Sequence, residues 1–279
     1  MPWLPELFTA PALAHMWDDE RRRRLAVVPF FAGVMTGETG ALVESFAGVP
    51  ELHHPVLGRV KGVAAFERFV RETRTWLAER HAVMEDVDLV LAPGRGVEEV
   101  VLRLDGDQGR IELPVAIAND HDDAGRIVEQ RMYFSNWPLT GRHAIRPPVL
   151  QPDPGAQLLD VVADYQRALA AGDADAVMAT FEPDASVREP SGGPHVHRGS
   201  QALRALYERF FSNGGGIDLQ HCTVTDDGRA CALEFNLVAW GRTPLPPQAG
   251  VAVYVRGDSG RLAAARIYDD ADPPLDGTR

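Results

Sequence analysis

Cysteine is scarce in this chain, and long apolar runs are missing. Its 279 residues include two cysteines, Cys222 and Cys231, which are too few for a disulfide framework and lack the spacing of a metal site. The first 17 residues lack the basic start and continuous apolar core of a signal peptide, and no stretch is long enough to cross a membrane. We therefore expect a reduced, cytoplasmic protein with no membrane partner.

Basic residues are also in the minority. The chain has 28 lysines and arginines against 40 aspartates and glutamates, a formal net charge of −12. A surface of this sign repels phosphate backbones, so nucleic acid is not an expected partner. The one basic run, residues 21–24, directly follows three acidic residues and is typical of a salt-bridged face of an N-terminal helix.

The remaining composition is that of an ordinary soluble globular protein. Hydrophobic residues make up 45% of the chain and charged residues 24%, which excludes disordered and fibrous classes. Domains typically span about 100 to 200 residues, so this length allows one large domain or two small ones.

An internal repeat decides between these two possibilities. Identical residues recur at an offset of 135 positions, and the matches bracket almost the whole of each copy. The matching pairs are Gly37 and Gly172, Phe46 and Phe181, Pro55 and Pro190, Gly125 and Gly260, Arg126 and Arg261, Arg131 and Arg266, and Tyr133 and Tyr268. The sequence therefore predicts two copies of one unit.

A proline-rich segment separates the copies. Residues 138–155 contain five prolines, which disfavour helix and strand and favour a stiff, extended connection. We predict a first domain at residues 1–139, a linker at 140–156 and a second domain at 157–279.

Each copy begins with helical patterns and continues with strands. In the second copy, apolar residues spaced three and four apart predict a helix ending near Gly172, and Asp173 is placed to cap the next helix. That helix is expected to pass Phe181 and stop at Pro183, before a strand at residues 185–189. A third helix follows Gly199, and alternating strands with hairpin turns begin at Ile217, which indicates an α+β fold.

Two stretches of the second copy carry a family resemblance. They are Tyr165-Gln-Arg-Ala-Leu-Ala-Ala-Gly-Asp173, and Phe181-Glu-Pro-Asp-Ala-Ser-Val-Arg-Glu-Pro-Ser-Gly192 with the later Arg198-Gly199. This pattern resembles the ketosteroid isomerases and SnoaL-like polyketide cyclases of the NTF2-like superfamily. The resemblance implies two tandem cone-shaped domains, each a curved antiparallel sheet wrapped on about three helices around an apolar pocket. Relatives often dimerise through the outer sheet face, so we expect an intramolecular pseudo-dimer; further homo-oligomers remain open.

The same resemblance implies a catalytic pair. In ketosteroid isomerases a tyrosine of the first helix donates a hydrogen bond to the oxyanion, and a carboxylate before a Pro-x-Gly turn removes the proton. Tyr165 and Glu189 occupy these positions. The family's second donor, a protonated aspartate on a late strand, has no counterpart in residues 250–254. The alternative interpretation makes Glu189 a loop acid and Tyr165 a core residue.

The first copy differs at both positions. Phe30 and His54 stand where the second copy has Tyr165 and Glu189, so the hydroxyl is absent and an imidazole replaces the carboxylate. His54 is a candidate base near neutral pH, and the alternative is an ordinary loop histidine.

Several polar residues of the strands are further candidates. Strand alternation places Arg131 with Tyr133, and Arg266 with Tyr268 and Asp270, on one face of each terminal strand. Such a row suits either a pocket mouth or a face through which the two copies pack. The other pocket candidates are His221, Glu234, Trp240 and Tyr254.

A metal site is not predicted. His195 and His197 lie on the same side of an extended segment, but no third ligand is close in sequence, and exposed loop histidines are the simpler interpretation. No cofactor is expected either.

The sequence thus favours a cofactor-independent acid/base enzyme, an isomerase, cyclase or dehydratase. It would abstract a proton next to a carbonyl of a small hydrophobic, polyketide- or steroid-like substrate. One alternative is a non-catalytic binding or interaction module. Another is an epoxide hydrolase of the limonene-epoxide type, which needs an Asp-Arg-Asp arrangement; Arg266 with Asp269 or Asp270 is the candidate set.

Overall fold

The computed structural model describes residues 29–107 and 109–274. The basic run at residues 21–24 lies outside these ranges. The first domain has helices α1 (Phe30–Thr36), α2 (Thr39–Glu44), α3 (Val63–Glu79) and α4 (Trp137–Thr140), and strands β1 (Glu51–His54), β2 (Gly58–Lys61), β3 (Val83–Ala92), β4 (Arg95–Gly106), β5 (Gly109–His121) and β6 (Ile127–Tyr133).

The second domain repeats this order. Its helices are α5 (Asp160–Ala171), α6 (Ala174–Thr180) and α7 (Gly199–Phe210). Its strands are β7 (Phe181–Arg188), β8 (Val196–Arg198), β9 (Ile217–Asp226), β10 (Ala230–Trp240), β11 (Thr243–Arg256) and β12 (Leu262–Tyr268). Among the described residues, no helix is both long and apolar enough to cross a membrane.

Each domain contains one six-stranded sheet of the same topology. The strand orders are β2-β1-β6-β5-β4-β3 and β8-β7-β12-β11-β10-β9. The two domains therefore share one α+β fold, as the repeat predicted. The sheets are mainly antiparallel, as expected, with one parallel pair in each: β1 runs parallel to β6, and β7 runs parallel to β12. A parallel pair needs a long crossover, and the intervening helix and hairpin strands provide it.

The sequence repeat is also a repeat of element boundaries. Strands β6 and β12 begin and end at residues that are equivalent in the repeat. Helices α1 and α5 both end in a left-handed glycine, Gly37 and Gly172. Glycine adopts this conformation without the penalty that a Cβ imposes, so the two matched glycines stop equivalent helices.

Local predictions for the second domain were largely confirmed, with one shift. Asp173 caps α6 by accepting a hydrogen bond from the Ala176 amide at 2.9 Å. The helix ends at Thr180, earlier than predicted, and strand β7 already begins at Phe181. Pro183 is tolerated inside this strand, whereas the sequence interpretation used it to stop the helix.

The two domains pack through the outer faces of their sheets, which confirms the pseudo-dimer. Small and β-branched side chains of both sheets form one buried cluster; it includes Val97, Ala116, Ala118, Ala232, Val251 and Val253. Tyr133 and Tyr268 belong to the same cluster, so apolar packing between the two sheets surrounds these equivalent rings.

Two equivalent ion pairs cross this interface. Arg131 of the first domain binds Glu234 of the second, with Nε–Oε1 and Nη2–Oε2 distances of 2.7 and 2.9 Å. In return, Arg266 of the second domain binds Glu99 of the first, with an Nε–Oε1 distance of 2.8 Å. Glu99 and Glu234 are equivalent in the repeat, as are Arg131 and Arg266, so the interface has the reciprocal character of a two-fold dimer.

The segment between the domains lies along the protein surface and is anchored to it. Arg146 donates hydrogen bonds to the backbone oxygens of Met132 and His53, at 2.6 and 3.1 Å, and its guanidinium stacks over the Tyr133 ring. Further along, the Leu150 carbonyl accepts a hydrogen bond from the Asn236 side chain at 3.1 Å. The connection is thus a packed part of both domains.

Candidate active site

A cavity of about 480 Å³ lies in the second domain between its helices and the inner face of its sheet. Its walls are mainly apolar; they include Leu169, Val187, Phe210, Phe235, Leu237, Trp240, Ala252 and Ile267. The indole nitrogen of Trp240 donates to the Phe210 carbonyl at 2.8 Å, so this ring offers the cavity an apolar surface. A pocket of this size and character suits a small hydrophobic molecule.

Three tyrosines project into this cavity. The hydroxyls of Tyr165 on α5 and Tyr207 on α7 are hydrogen-bonded at 2.9 Å, and the Tyr254 hydroxyl accepts a hydrogen bond from Gln166 at 2.6 Å. Burial raises the pKa of Tyr165 to about 12 and raises the pKa values of Tyr207 and Tyr254 well above their ordinary value. All three hydroxyls therefore keep their protons at neutral pH and can donate hydrogen bonds.

Asp269 faces the tyrosines' cavity from the end of β12. Burial is the main cause that raises the pKa of its carboxyl to about 6, and the nearby Asp270 and Glu189 carboxylates add to the effect. Among the described residues one weak hydrogen bond reaches it, from the Ala271 amide at 3.3 Å. Gly250 on the neighbouring strand leaves room for it, since a Cβ at that position would lie 2.9 Å from the Asp269 Cβ.

Glu189 also lines the cavity, but its oxygens are already engaged. His197 lies 2.6 Å from Oε1, and Arg209 donates to both oxygens at 3.1 and 3.2 Å. His195 Nδ1 is 3.8 Å from Oε1. Both histidines were expected to be solvent-exposed loop residues. The His195 side chain is 41% exposed, whereas His197, at 24%, helps to hold Glu189, whose side chain is 13% exposed.

The segment that follows the first domain's sheet completes the cavity wall. Trp137 and His143 belong to this segment, and both line the cavity of the second domain. Asp270 does not line the cavity; it lies behind His143 and borders a separate surface groove. The cavity is therefore formed by more than one domain's residues.

Five of the sequence candidates lie at the domain interface instead of in the cavity. Arg131 and Tyr133 contact Glu234, and Tyr268 and Arg266 contact Glu99. Of the two alternatives for these side chains, a pocket mouth or a face through which the copies pack, the second describes their location. Strand alternation explains it, because Arg266 and Tyr268 point outward while Ile267 and Asp269 point inward.

This placement argues against the residues considered for an epoxide hydrolase, Arg266 with Asp269 or Asp270. Arg266 binds Glu99 and Asp88 of the first domain and does not line the cavity, so it cannot form an Asp-Arg-Asp arrangement there. His221 on β9 is partly buried and likewise does not line the cavity. Trp240 and Tyr254 are the two strand candidates that the structure brings to the cavity.

In the first domain, aromatic rings pack together at the equivalent place. Phe30, His54 and Phe134 occupy the positions that Tyr165, Glu189 and Asp269 hold in the second domain. The His54 ring lies edge-on to Phe69 and Phe134, with centroids 5.5 and 5.4 Å apart, and Phe30 stacks on Phe69 at 6.1 Å.

His54 itself is held as a neutral side chain. Burial lowers its pKa to about 4, and its Nδ1 accepts hydrogen bonds from the Val56 and Leu57 amides, both at 3.1 Å. These contacts fix the turn after β1. His54 therefore lies with packed aromatic rings and stands apart from the site in the second domain.

One group of potential metal ligands occurs in the part of the chain that the structure describes. Glu51, His53 and Glu129 bring ligand atoms within 4.8 Å of one another. Lys61 approaches Glu51 at 2.7 Å, and Arg131 approaches Glu129 at 3.0 Å. These cations already neutralise the carboxylates, so the group is explained as a surface ion-pair cluster.

Sequence reasoning did not identify Asp269 as the central carboxylate of the site, and it missed Tyr207 and His143. Asp269 could have been found from the repeat, since the equivalent residue of the first copy is Phe134. An apolar residue in one copy and an acid in the other marks a position where the two sites differ. Tyr207 gave no such signal, because α7 is shorter than α3 and the helices do not align residue by residue.

A comparison with protein families matches one region. Residues 162–265 match the family described as the SnoaL-like domain. This region covers the helices of the second domain and its sheet up to the last strand. No curated protein matches the chain.

Solved structures similar to this chain each cover about one domain of it. One, from Sinorhizobium meliloti and assigned as a polyketide cyclase, is 26% identical, covers 39% of this chain and 94% of its own, and has a TM-score of 0.34. An NTF2-like protein from Cytophaga hutchinsonii is 16% identical, with coverages of 42% and 94% and a TM-score of 0.33. The epoxide hydrolase/cyclase-like enzyme SalBIII is 17% identical, with coverages of 41% and 90% and a TM-score of 0.33.

Proposed function

We propose that this chain, whose second half contains a SnoaL-like domain, is a cofactor-independent acid/base enzyme that removes a proton next to the carbonyl group of a small apolar substrate. Enolisation of this kind is the shared step of isomerisation, cyclisation and dehydration. It needs a base near the carbon and a hydrogen-bond donor near the oxygen.

Asp269 is the base in this proposal, in place of Glu189. Its pKa of about 6 leaves it ionised at neutral pH yet more basic than an ordinary carboxylate. Glu189 is less suited because Arg209 and His197 occupy its oxygens. We assign Glu189 the role of a fixed negative charge that helps to keep the Asp269 carboxyl basic.

The hydroxyl pair of Tyr165 and Tyr207 is the oxyanion donor. One hydroxyl of the pair donates to the other, which leaves one proton for the substrate oxygen. The donor strengthens because its neighbour polarises it, and the mainly apolar walls around it make a hydrogen bond electrostatically stronger than in water. Tyr165 keeps the role that the sequence resemblance implied for it.

The observation that carries this proposal is that the two copies differ at the site positions. Tyr165, Glu189 and Asp269 line one cavity, whereas their equivalents Phe30, His54 and Phe134 belong to a packed aromatic cluster. Burying polar groups costs stability. The first copy folds without them, so folding alone does not explain why the second copy has them. The first domain acts as the structural partner.

Exchange of carbon-bound protons tests the proposal without knowledge of the natural substrate. The protein would be incubated with 2-tetralone, a small apolar ketone, in D₂O, and incorporation of deuterium next to the carbonyl followed by NMR. Asp269→Asn should lower the protein-dependent rate by about 10² to 10⁴, the usual contribution of a general base. The matched control is Asp272→Asn, which changes another cavity carboxylate and should leave most of the rate.

Absence of exchange would favour the second class of function, a binding module. In that case 2-naphthol, which mimics the enol of 2-tetralone, would bind with the same affinity to the wild-type protein and to Asp269→Asn. Catalytic use of the site predicts tighter binding to Asp269→Asn, because replacing the carboxylate removes its repulsion of the bound naphtholate.

A further inference from the structure

His143 reaches the cavity from outside the second domain's own elements. It lies in the segment that follows α4, and its side chain lines the cavity that Asp269 faces. The imidazole stacks on the Trp137 indole, with ring centroids 4.8 Å apart and an interplanar angle of 20°. Its side chain is 19% exposed, so the ring sits at a boundary between the cavity and the surface.

A carboxylate holds this histidine in a defined orientation. His143 Nδ1 lies 3.0 Å from Asp270 Oδ1. Asp270 is itself fixed, because it accepts hydrogen bonds from the Ser135 hydroxyl and the Ala144 amide, both at 2.7 Å. A carboxylate that accepts the Nδ1 proton leaves Nε2 as the reactive nitrogen, and among the described residues Nε2 has no hydrogen-bond partner.

Three carboxylates act on His143. The hydrogen bond to Asp270 is the largest cause that raises the pKa of the imidazole, and Asp272 and Asp269 raise it further. The protonated form of this imidazole is therefore more stable than that of an ordinary histidine side chain. Asp269 and Asp270 are adjacent in sequence and point to opposite faces after β12, so one carboxylate enters the cavity while the next one orients the histidine.

We propose that His143 is a second catalytic residue of this cavity, a general acid that allows the site to eliminate water from a β-hydroxy ketone. The inference rests on the proposed function of Asp269. Asp269 removes the proton from the carbon next to the carbonyl, and the electron pair forms the carbon–carbon double bond. The carbon–oxygen bond of the hydroxyl breaks, and His143 Nε2 gives its proton to the departing oxygen, which leaves as water.

The proton balance of the step closes within the site. At its end Asp269 carries one proton more and His143 one fewer, and exchange with solvent restores both. Simple enolisation needs a base and an oxyanion donor alone, whereas loss of hydroxide at neutral pH requires an acid. A cavity that holds both a base, Asp269, and a hydrogen-bonded imidazole able to act as an acid, His143, thus favours dehydration over isomerisation.

Two reactions separate this inference from the proposed function. Deuterium exchange into 2-tetralone requires Asp269 and the tyrosine donor but not His143. Conversion of 4-hydroxy-4-phenylbutan-2-one to 4-phenylbut-3-en-2-one requires His143 as well and is followed by ultraviolet absorbance. His143→Gln should keep the exchange rate within a few-fold of the wild type and lower the dehydration rate by about 10² or more. His221→Gln, at a histidine outside the cavity, should leave both rates unchanged.

Each outcome has a distinct meaning. If the wild-type protein exchanges 2-tetralone protons but does not dehydrate the hydroxy ketone, or if His143→Gln dehydrates it as fast as the wild type, the role of His143 is wrong and the proposed function stands. If exchange itself is absent, the proposed function fails. Asp270→Asn provides an independent readout: it should lower the pKa of His143 measured by NMR titration, and an unchanged value would refute the positioning role of Asp270.

Discussion

The Ser135 hydroxyl donates a hydrogen bond of 2.7 Å to the Asp270 carboxylate, and the two residues occupy equivalent positions of the repeat, 135 residues apart. A residue that touches its own equivalent lies on the axis that relates two copies. The pseudo-two-fold axis therefore passes beside the residue that orients His143. Packing of the two domains and construction of the site depend on the same contact.

Removal of this contact should weaken the whole molecule. Ser135→Ala deletes a buried hydrogen bond to a charged group and should lower the free energy of unfolding by about 1.5 to 3 kcal/mol. Urea unfolding measures the change. Ser200→Ala, at an exposed residue whose hydroxyl bonds the Pro183 carbonyl, is the control and should cost less than about 1 kcal/mol. Equal stability of the two variants would refute the importance of the Ser135 contact.

The reciprocal ion pairs make a stronger prediction. Arg131 and Glu234 have side chains that are 1% and 3% exposed, so loss of the Glu234 charge takes from the buried Arg131 its one buried anionic partner and leaves it the half-exposed Asp120 and Glu129. Glu234→Gln should therefore destabilise the protein by about 3 to 5 kcal/mol, and Glu99→Gln, its equivalent, should have a similar effect. Guanidinium chloride unfolding provides the measurement.

The control for these variants is an exposed pair. Asp164 binds Arg167 at 2.7 Å, with side chains that are 59% and 73% exposed, and Asp164→Asn should change stability by less than about 1 kcal/mol. A small effect of Glu234→Gln together with a large effect of Glu99→Gln would show that the two pairs are not equivalent in energy.

Removing the hydroxyl of Tyr165 should lower the exchange rate more than removing that of Tyr207. Tyr165→Phe removes the proposed donor and should lower the exchange rate by about 10² to 10³, the cost of one oxyanion donor in other enzymes. Tyr207→Phe keeps that donor and removes its hydrogen-bonded neighbour, so a loss of roughly tenfold is expected, which corresponds to about one hydrogen bond of 1.4 kcal/mol. NMR exchange rates under saturating 2-tetralone decide the order, and the reverse order would assign the donor role to Tyr207.

The ionised Asp269 carboxylate should lower the free energy of unfolding above pH 6. Because burial raises its folded pKa to about 6, the carboxyl favours folding below its ordinary pKa, and this contribution is lost as the pH rises through about 6. Asp269→Asn removes that loss, so the variant should be more stable than the wild type at pH 8 by on the order of 1 to 3 kcal/mol, with the difference shrinking toward pH 4. Urea unfolding at several pH values checks this. A stability difference that does not change with pH would contradict the raised pKa.

Much of the architecture was predictable because it repeats. The matched glycines Gly37 and Gly172 mark equivalent helix ends, and Asp173 is an N-cap by residue type alone. The parallel pairing of β7 with β12 was not predictable from periodicity, since alternation reports which face is buried and says nothing of strand direction.

The site was predictable in part. Tyr165, Glu189, Trp240 and Tyr254 were named from sequence and do line the cavity. Arg131 with Tyr133, and Arg266 with Tyr268, share one face of their own strands as predicted, but which face turns toward the helices depends on packing between the domains. His143 could not be found at all, because its place in the cavity results from the docking of one domain on the other.

The pH dependence of 2-tetralone exchange tests the central claim most directly. With Asp269 as the base, the protein-dependent rate should rise with pH and level off above about pH 6, as the carboxyl becomes ionised. Asp269→Asn should abolish this profile, while Glu189→Gln should retain it with a lower midpoint, because loss of a neighbouring negative charge lowers the pKa of Asp269. A wild-type profile with no inflection near pH 6, or one that is lost in Glu189→Gln and kept in Asp269→Asn, would contradict the assignment.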